Sequence, residues 1–433
     1  MRLVAGSVII ALGLAAGAAW AHENRQPPPP PRPGGDPDRR PPREGQGGGY
    51  SLEQALSDRA QLHTIAFSGL AFLTGEPGAS SFIPPGKVAD FFGFQYLRDI
   101  DAAGKGHNPM FLDRIAGNVM RLLSSPQRRI FEQAAREEAA QLEAIARFRL
   151  PLVAAFHQDL AGRLPAGCKG LDRLAVRTYV ADLFELDAHL AWHRARAFGA
   201  VAQSFSDAQW RTLGAWKFGD FRTWPEVDRE ALRDLRPRAA TKLESVAYMT
   251  LASEFFSWVA GSAEADTYFC PERHGTYFGG FYFKDLPAMG QKDFDISTSL
   301  TGDAGEAFLA ALTPAQRARM EALPDQQREL LRGIVTLRRA IAGKLRTFLR
   351  GAGPTDRELR ALGRRYGELD GELAYLYAST FTAIGRSADA PQLARLRSLR
   401  GQPSREAGTA FLYSDRIPMP QWPDASFLLG GRR

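Results

Sequence analysis

One helix-start motif occurs four times in this chain, and the order of its copies points to a repeated architecture. The clearest copy is Leu312-Thr313-Pro314-Ala315-Gln316. Thr313 suits the N-cap, Pro314 the first helical position, and Gln316 the third, from which its amide can reach back to the cap. Ser124 with Gln127 and Ser206 with Gln209 keep the hydroxyl cap and the glutamine; Asp389 with Gln392 keeps an acidic cap and the glutamine. Motif copies of one design call for a test of internal repetition before any fold is assigned.

The second half of the sequence lies over the first with small gaps. FSGLAFLTG (67–75) matches SEFFSWVAG (253–261), and the same 186-residue offset brings DFFGFQYLRD (90–99) onto TYFGGFYFKD (276–285). After a short insertion Gln127 falls on Gln316. ELDAHLAWHRARAF (185–198) then matches ELDGELAYLYASTF (368–381) at an offset of 183, which also places Gln209 on Gln392. The tails agree as well, Trp224-Pro225-Glu226 with Trp422-Pro423-Asp424. An ordered series of this kind reads as a tandem duplication.

Periodicity makes each half mostly helical. Leu52, Leu56, Leu62, Ile65, Ala66 and Leu70 recur at helical spacing over 51–72. A long helix follows each first capping box, with a kink or stop expected at Pro151 in the first half and none at the equivalent place in the second. Glycine-bearing breaks lead into a third long helix, about 171–203 and 355–385, and each last box opens a short one. The aromatic stretches 90–99 and 276–285 alternate with glycines and read as short extended loops. The expected fold is all-α: two homologous helical-hairpin repeats, 50–218 and 241–433, packed as a pseudo-dimer and joined by a polar linker at 219–240.

Ahead of the repeats, residues 1–21 have a basic start, an apolar stretch and an Ala19-Trp20-Ala21 cleavage pattern, which reads as a secretory signal peptide. Residues 22–49, rich in proline, glycine and charge, cannot bury a core and read as a disordered tail with polyproline II character. No later run is long and apolar enough for a bilayer. The expected location is therefore periplasmic or secreted. In an oxidising compartment the two cysteines, Cys168 and Cys270, are expected to form a disulfide staple. A net charge of +7 favours acidic partners. The basic residues are spread along helix faces without a dense aromatic-interleaved block, which argues against nucleic acid.

The capping boxes on an exported helical chain resemble the LTXXQ-motif periplasmic proteins, the Spy and CpxP group, and are similar to related heavy-metal-resistance proteins. The resemblance covers roughly 123–216 and 312–400, with about eighty residues of helical hairpin between boxes. It implies an all-helical cradle, usually formed by two chains, that shields unfolding envelope proteins, or senses envelope stress or metal; the charge of this chain leads us to expect a basic, partly apolar concave face for that role. A duplication would build both halves of such a cradle from one chain.

Chemistry-bearing residues are few. Glu185, His189 and His193 are spaced four and four on one helix face, and Glu368 and Glu372 occupy matching positions in the second half. A mixed Glu/His site between the repeats could hold zinc or copper; the competing reading is that these are solvated helix-face residues. His22, at the N-terminus left by cleavage after Ala21, could offer amine and imidazole to copper, but on a tail with nothing to pre-organise it. There is no nucleophile elbow, P-loop, dinucleotide fingerprint or HExxH, so the expectation is a binding protein and not an enzyme. Three readings stand: a chaperone or stress-protective module, a metal binder or sensor, and a structural or assembly protein.

Overall fold

The protein is described by a computed structural model covering residues 58–74, 87–89, 95–98, 111–216, 221–235, 241–260, 302–400, 410–412, 415–417 and 423–430. The signal segment, the 22–49 tail, Cys270 and the second aromatic stretch lie outside these residues. The described chain is all-α, as expected. Its helices are α1 (Asp58–Thr74), α2 (Gly117–Leu122, entered by a π turn at Phe111–Ala116), α3 (Ser125–Phe148) and α4 (Leu150–Leu160). The long α5 (Arg173–Gln203), α6 (Asp207–Ala215), α7 (Arg229–Leu235) and α8 (Lys242–Ala260) follow. The second half supplies α9 (Gly302–Ala310), α10 (Pro314–Glu321), α11 (Leu323–Arg346), α12 (Asp356–Ser387) and α13 (Ala390–Arg400).

The two longest helices, α5 and α12, form the central antiparallel pair. Three glycines on α12 let the backbones touch. A Cβ on Gly363 would come within 2.3 Å of the Ala188 Cβ, one on Gly367 within 2.6 Å of the Val180 carbonyl oxygen, and one on Gly371 within 2.7 Å of the Arg177 Cα. Phe184 and Tyr366 meet edge to face at 4.6 Å where the helices cross. Under the sequence alignment Gly363, Gly367 and Gly371 correspond to Val180, Phe184 and Ala188, so aligned positions of the two helices face one another across the crossing.

The shorter helices pack crosswise. α1, from the first half, lies against α9, α11, α12 and α13 of the second. α8, its aligned counterpart, lies against α2, α3, α5 and α6 of the first. Each half therefore completes the core of the other. Phe131 meets Phe198 and Phe255 on one side, while Phe72 meets Phe381 and stacks on His157 on the other.

Buried polar groups follow the same two-sided plan. Arg194 is fully buried and satisfies two carboxylates: Nε and Nη2 donate to Glu138 at 2.8 and 2.9 Å, and Nη1 donates to Glu254 at 2.9 Å. The aligned trio in the other half is neutral. Tyr377 donates to Gln327, and a buried Ser68 stands at the position of Glu254.

Several local expectations shift. The first long helix ends at Phe148 and α4 restarts with Pro151 in its first turn, where a missing N–H costs nothing. The second-half helix is not continuous from its box: it breaks at Ala322, because Pro324 can enter only a first turn. The 219–240 segment is more than a polar spacer. Trp224 is buried, stacked on Trp216 at 4.8 Å and edge-on to Phe256, and Asn118 Nδ2 donates to the Pro225 carbonyl.

Of the first aromatic stretch, Gln95–Arg98 is extended (β2), pairing antiparallel with β1 (Lys87–Ala89). β2 also pairs with β4 (Ala410–Leu412), which pairs with β5 (Asp415–Ile417). A second pairing joins β3 (Gly170–Leu171) to β6 (Leu429–Gly430). Among the described residues no helix is long and apolar enough to cross a membrane.

Two measurements test this packing. Gly367→Ala should destabilise by about 1–3 kcal/mol through overpacking. Gly343→Ala, where a Cβ meets open space, should stabilise by about 0.5–1 kcal/mol through helix propensity; equal effects in chemical denaturation would refute the close approach. Burial, with Arg163 nearby, pushes the His157 imidazole from 6.5 down to about 4. The unfolded chain therefore takes up the proton first, and stability falls as pH drops from about 6.5 towards 4. Between pH 7 and 4.5 that loss should be about 2 kcal/mol larger for the native chain than for His157→Gln.

Candidate functional site

The capping boxes do more than start helices. Ser124 with Gln127, Ser206 with Gln209 and Thr313 with Gln316 form reciprocal cap bonds; at the fourth site Asp389 accepts from the Gln392 N–H at 2.7 Å. The glutamine amides then pair across each half. Gln209 Nε2 donates to Gln127 Oε1 at 2.7 Å, and Gln392 Nε2 donates to Gln316 Oε1 at the same distance. Gln127 and Gln316 each donate to a serine hydroxyl, Ser204 and Ser387, both at 3.0 Å. Gln209 and Gln392 each donate to the carbonyl ending the preceding short segment, Leu122 at 3.0 Å and Ala311 at 2.8 Å. One network occurs twice, on aligned residues. A box with glutamate, Thr355 with Glu358, caps α12 but has no amide N–H to donate across a junction.

The five residues read as metal ligands sit along one edge of the α5–α12 pair, and arginines take up the acids. Glu185 accepts from Arg360 at 3.0 Å and pairs with Arg364; Glu368 pairs with Arg177 at 3.3 Å and with Arg365; Glu372 pairs with Arg173. Arg365 and Arg177 draw the Glu368 carboxyl below its usual value against the opposing effect of burial. His189 Nδ1 lies 2.6 Å from Asp356 Oδ1 at the start of α12. His193 meets the His189 ring edge-on at 4.7 Å. Burial, with His189 and Arg196 adding to it, holds the His193 imidazole below its ordinary value. Trp192 Nε1 donates to the Pro354 carbonyl beside them. Among the described residues no group of three or more His, Cys, Asp or Glu side chains is arranged to hold a metal ion. Glu185, Glu368 and Glu372 take part in a ladder of ion pairs that clamps α12 onto α5. Cys168 has no disulfide among the described residues, and its Sγ lies 3.6 Å from the Leu429 carbonyl oxygen beside the β3–β6 pairing; the expected partner Cys270 is outside the described residues.

Among the described residues there is an open cleft of about 370 Å³ lined by Asp172, Leu174, Ala175, Thr178, Tyr179, Asp182 and Phe427. Two local structures build it. Asp172 caps α5, accepting from the Ala175 N–H at 2.8 Å, which sets the direction of the first turns. A short 3-10 turn, Ser426–Leu428, is fixed beside that cap by the Asp172 N–H donating to the Leu428 carbonyl at 2.9 Å. Phe427 is thereby held 5.4 Å from Tyr179. Tyr179 is itself rigid. Its ring stacks on Phe148 at 4.4 Å, and its hydroxyl donates to the Phe148 carbonyl at 2.6 Å. Burial and the nearby Asp182 push the phenol up to about 12, so it stays neutral.

Leu174 is 69 % exposed and Phe427 49 %, an unusual pair of large apolar side chains to leave in water at one mouth. The charged groups that line it are Asp172, which caps α5, and Asp182, which is ion-paired with Arg364. The sequence reading missed Leu174, Tyr179 and Phe427. They come together only when the last residues of the chain dock against the start of α5; the one signal available was an exposed-face leucine immediately after a helix cap. Comparison of the chain with family models, with curated proteins and with solved structures gave no significant match.

The amide pairing separates two substitutions that capping alone would treat alike. Thr313→Ala should lower stability by about 1 kcal/mol. Gln316→Met should lower it by about 2–3 kcal/mol, because it also removes the bonds that Gln316 exchanges with the Gln392 amide and donates to Ser387. Equal losses in urea denaturation would reduce the motif to an ordinary cap.

Proposed function

We propose that this chain is a tandem-duplicated, exported, non-catalytic binding protein of the LTXXQ type, which holds exposed segments of envelope client proteins. The observation that carries the reading is the twice-built glutamine network. Two capping boxes per half are cross-locked by paired amides, and the halves are joined around one antiparallel helix pair with their first helices exchanged. A single chain then occupies the place that two protomers take in the resembling cradle.

The binding surface we assign is the Leu174–Tyr179–Phe427 cleft. Its aromatic floor is rigid and its apolar edges stand in water, which suits an extended, partly apolar segment. Its Asp172 and Asp182 rim suits one that carries basic residues.

The mature chain should suppress aggregation of a chemically denatured client at near-stoichiometric ratio. Leu174→Ser, at an exposed position, should leave the unfolding midpoint unchanged. It should weaken client binding roughly tenfold, the loss expected for one leucine no longer buried on binding. No suppression by the native chain would overturn the chaperone reading; suppression indifferent to Leu174→Ser would move the surface elsewhere.

A further inference from the structure

We infer that the groove under α1, walled by Phe308 of α9 and Phe381 of α12, is a second docking site, and that it takes a neutral apolar helix of a client in place of α1. The source of that helix rests on the function proposed above; the groove and its fit rest on the packing of α1.

The two exchanged helices are held by different means. α8 carries Glu254, and its departure would leave the buried Arg194 without one of its two carboxylates, which a low-dielectric core resists. At the aligned place α1 carries Ser68, whose side chain has no charge to withdraw. Tyr377 and Gln327, which bond to each other there, both belong to the second half and do not depend on α1 for that bond. α1 is held by the burial of Ile65, Ala66, Leu70 and Phe72. Apolar burial is non-directional, so another helix of the same shape can replace it. A helix of 17 residues has little stability of its own, and elements of one fold open at different free energies.

The groove specifies the helix that fits. A Cβ on Gly69 would come within 3.1 Å of the Phe381 ring and 3.2 Å of the Phe308 ring, so the position between those rings takes a small residue. Three residues on, the Phe72 ring meets Phe381 at 5.5 Å. Four residues on, Leu73 reaches α12 where Gly385 leaves room: a Cβ there would stand 2.8 Å from Leu73 Cδ2 and 2.7 Å from Leu160 Cδ1. Positions i, i+3 and i+4 share one helix face, and helix-in-groove recognition uses anchors at that spacing. The fitting segment therefore carries a small residue, then an aromatic and an aliphatic one at the third and fourth positions after it.

Charge narrows the choice further. Phe308, Phe381, Gly385 and Leu160 are uncharged, and His157, which stacks on Phe72, is neutral at pH 7. A charged group at any of the three anchors would be buried there without a counter-ion. That excludes most surface helices and admits the apolar helices that folded proteins keep inside and unfolding ones expose.

The test fixes α1 in place. In the full mature chain, with Cys168→Ser and Cys270→Ser, the pair Leu73→Cys and Gly385→Cys puts two thiols at facing positions within reach of a disulfide. The reduced form should bind a fluorescent peptide of residues 58–74, and the oxidised form should bind it roughly tenfold more weakly or less. A Phe72→Lys version of the peptide should bind neither form. In the unsubstituted chain at pH 7, hydrogen exchange should open the amides of α1 roughly tenfold more often than those of α8. The lock should also cut suppression of the aggregation of a chemically denatured client several-fold. Exchange of α1 and α8 only in one global step, or peptide binding indifferent to the lock, overturns the docking site. Suppression undiminished by the lock but lost on Leu174→Ser overturns the inference and leaves the proposed function standing. A chain that suppresses nothing, yet binds the peptide only when reduced, overturns the proposed function and supports the groove.

Discussion

The structure depends on the close approach of α5 and α12. Gly363, Gly367 and Gly371 remove the side chains that would hold the two helices apart, so that backbone meets backbone over three successive turns. That contact brings the two halves into one core and fixes their register, since a shift of one residue would drive a side chain into a carbonyl. The ion-pair ladder along the edge adds direction more than energy. Its members are half-exposed, and such pairs are individually weak, but Arg177–Glu368 and Arg360–Glu185 can form together only in the antiparallel register observed.

Around that pair the two halves use different chemistry at aligned places. Arg194 binds Glu138 and Glu254 in one core, while Tyr377 and Gln327 stand at the equivalent positions in the other. A buried charged trio is stable only when every partner is present. Because Glu254 lies on the exchanged helix α8, Arg194 requires that α8 occupy the first-half core. The neutral core on the other side receives α1, whose Phe72 closes it against Phe381 and His157. The asymmetry gives each exchanged helix its own place, since α1 offers Ser68 where Arg194 needs a carboxylate.

The same ladder engages the glutamates of the histidine-and-glutamate pattern, and one of its arginines, Arg364, also reaches Asp182 at the edge of the cleft. Arginines that could have formed a basic face are drawn into the helix seam by the acids of the opposite helix. At the cleft Asp182 shares Arg364 with that seam, while Asp172 serves the cap of α5.

Much of the secondary structure was legible locally. Ser124, Ser206 and Thr313 with their glutamines marked helix starts, and apolar spacing marked the long helices to within a few residues, because capping and amphipathic burial are properties of neighbouring residues. Pro324 shows the limit of that reading: the helix expected to run on from the second-half box breaks at Ala322 so that Pro324 enters a first turn. The sequence by itself determined an all-helical chain and a glutamine at each box. Only the tertiary structure decided that the glutamines pair with each other, that α1 and α8 change places, that Glu185, Glu368 and Glu372 pair with arginines, and that Leu174 and Phe427 frame one cleft. Each of those depends on groups far apart in sequence meeting at hydrogen-bond or van der Waals distance, and such meetings are fixed by packing, not by local pattern.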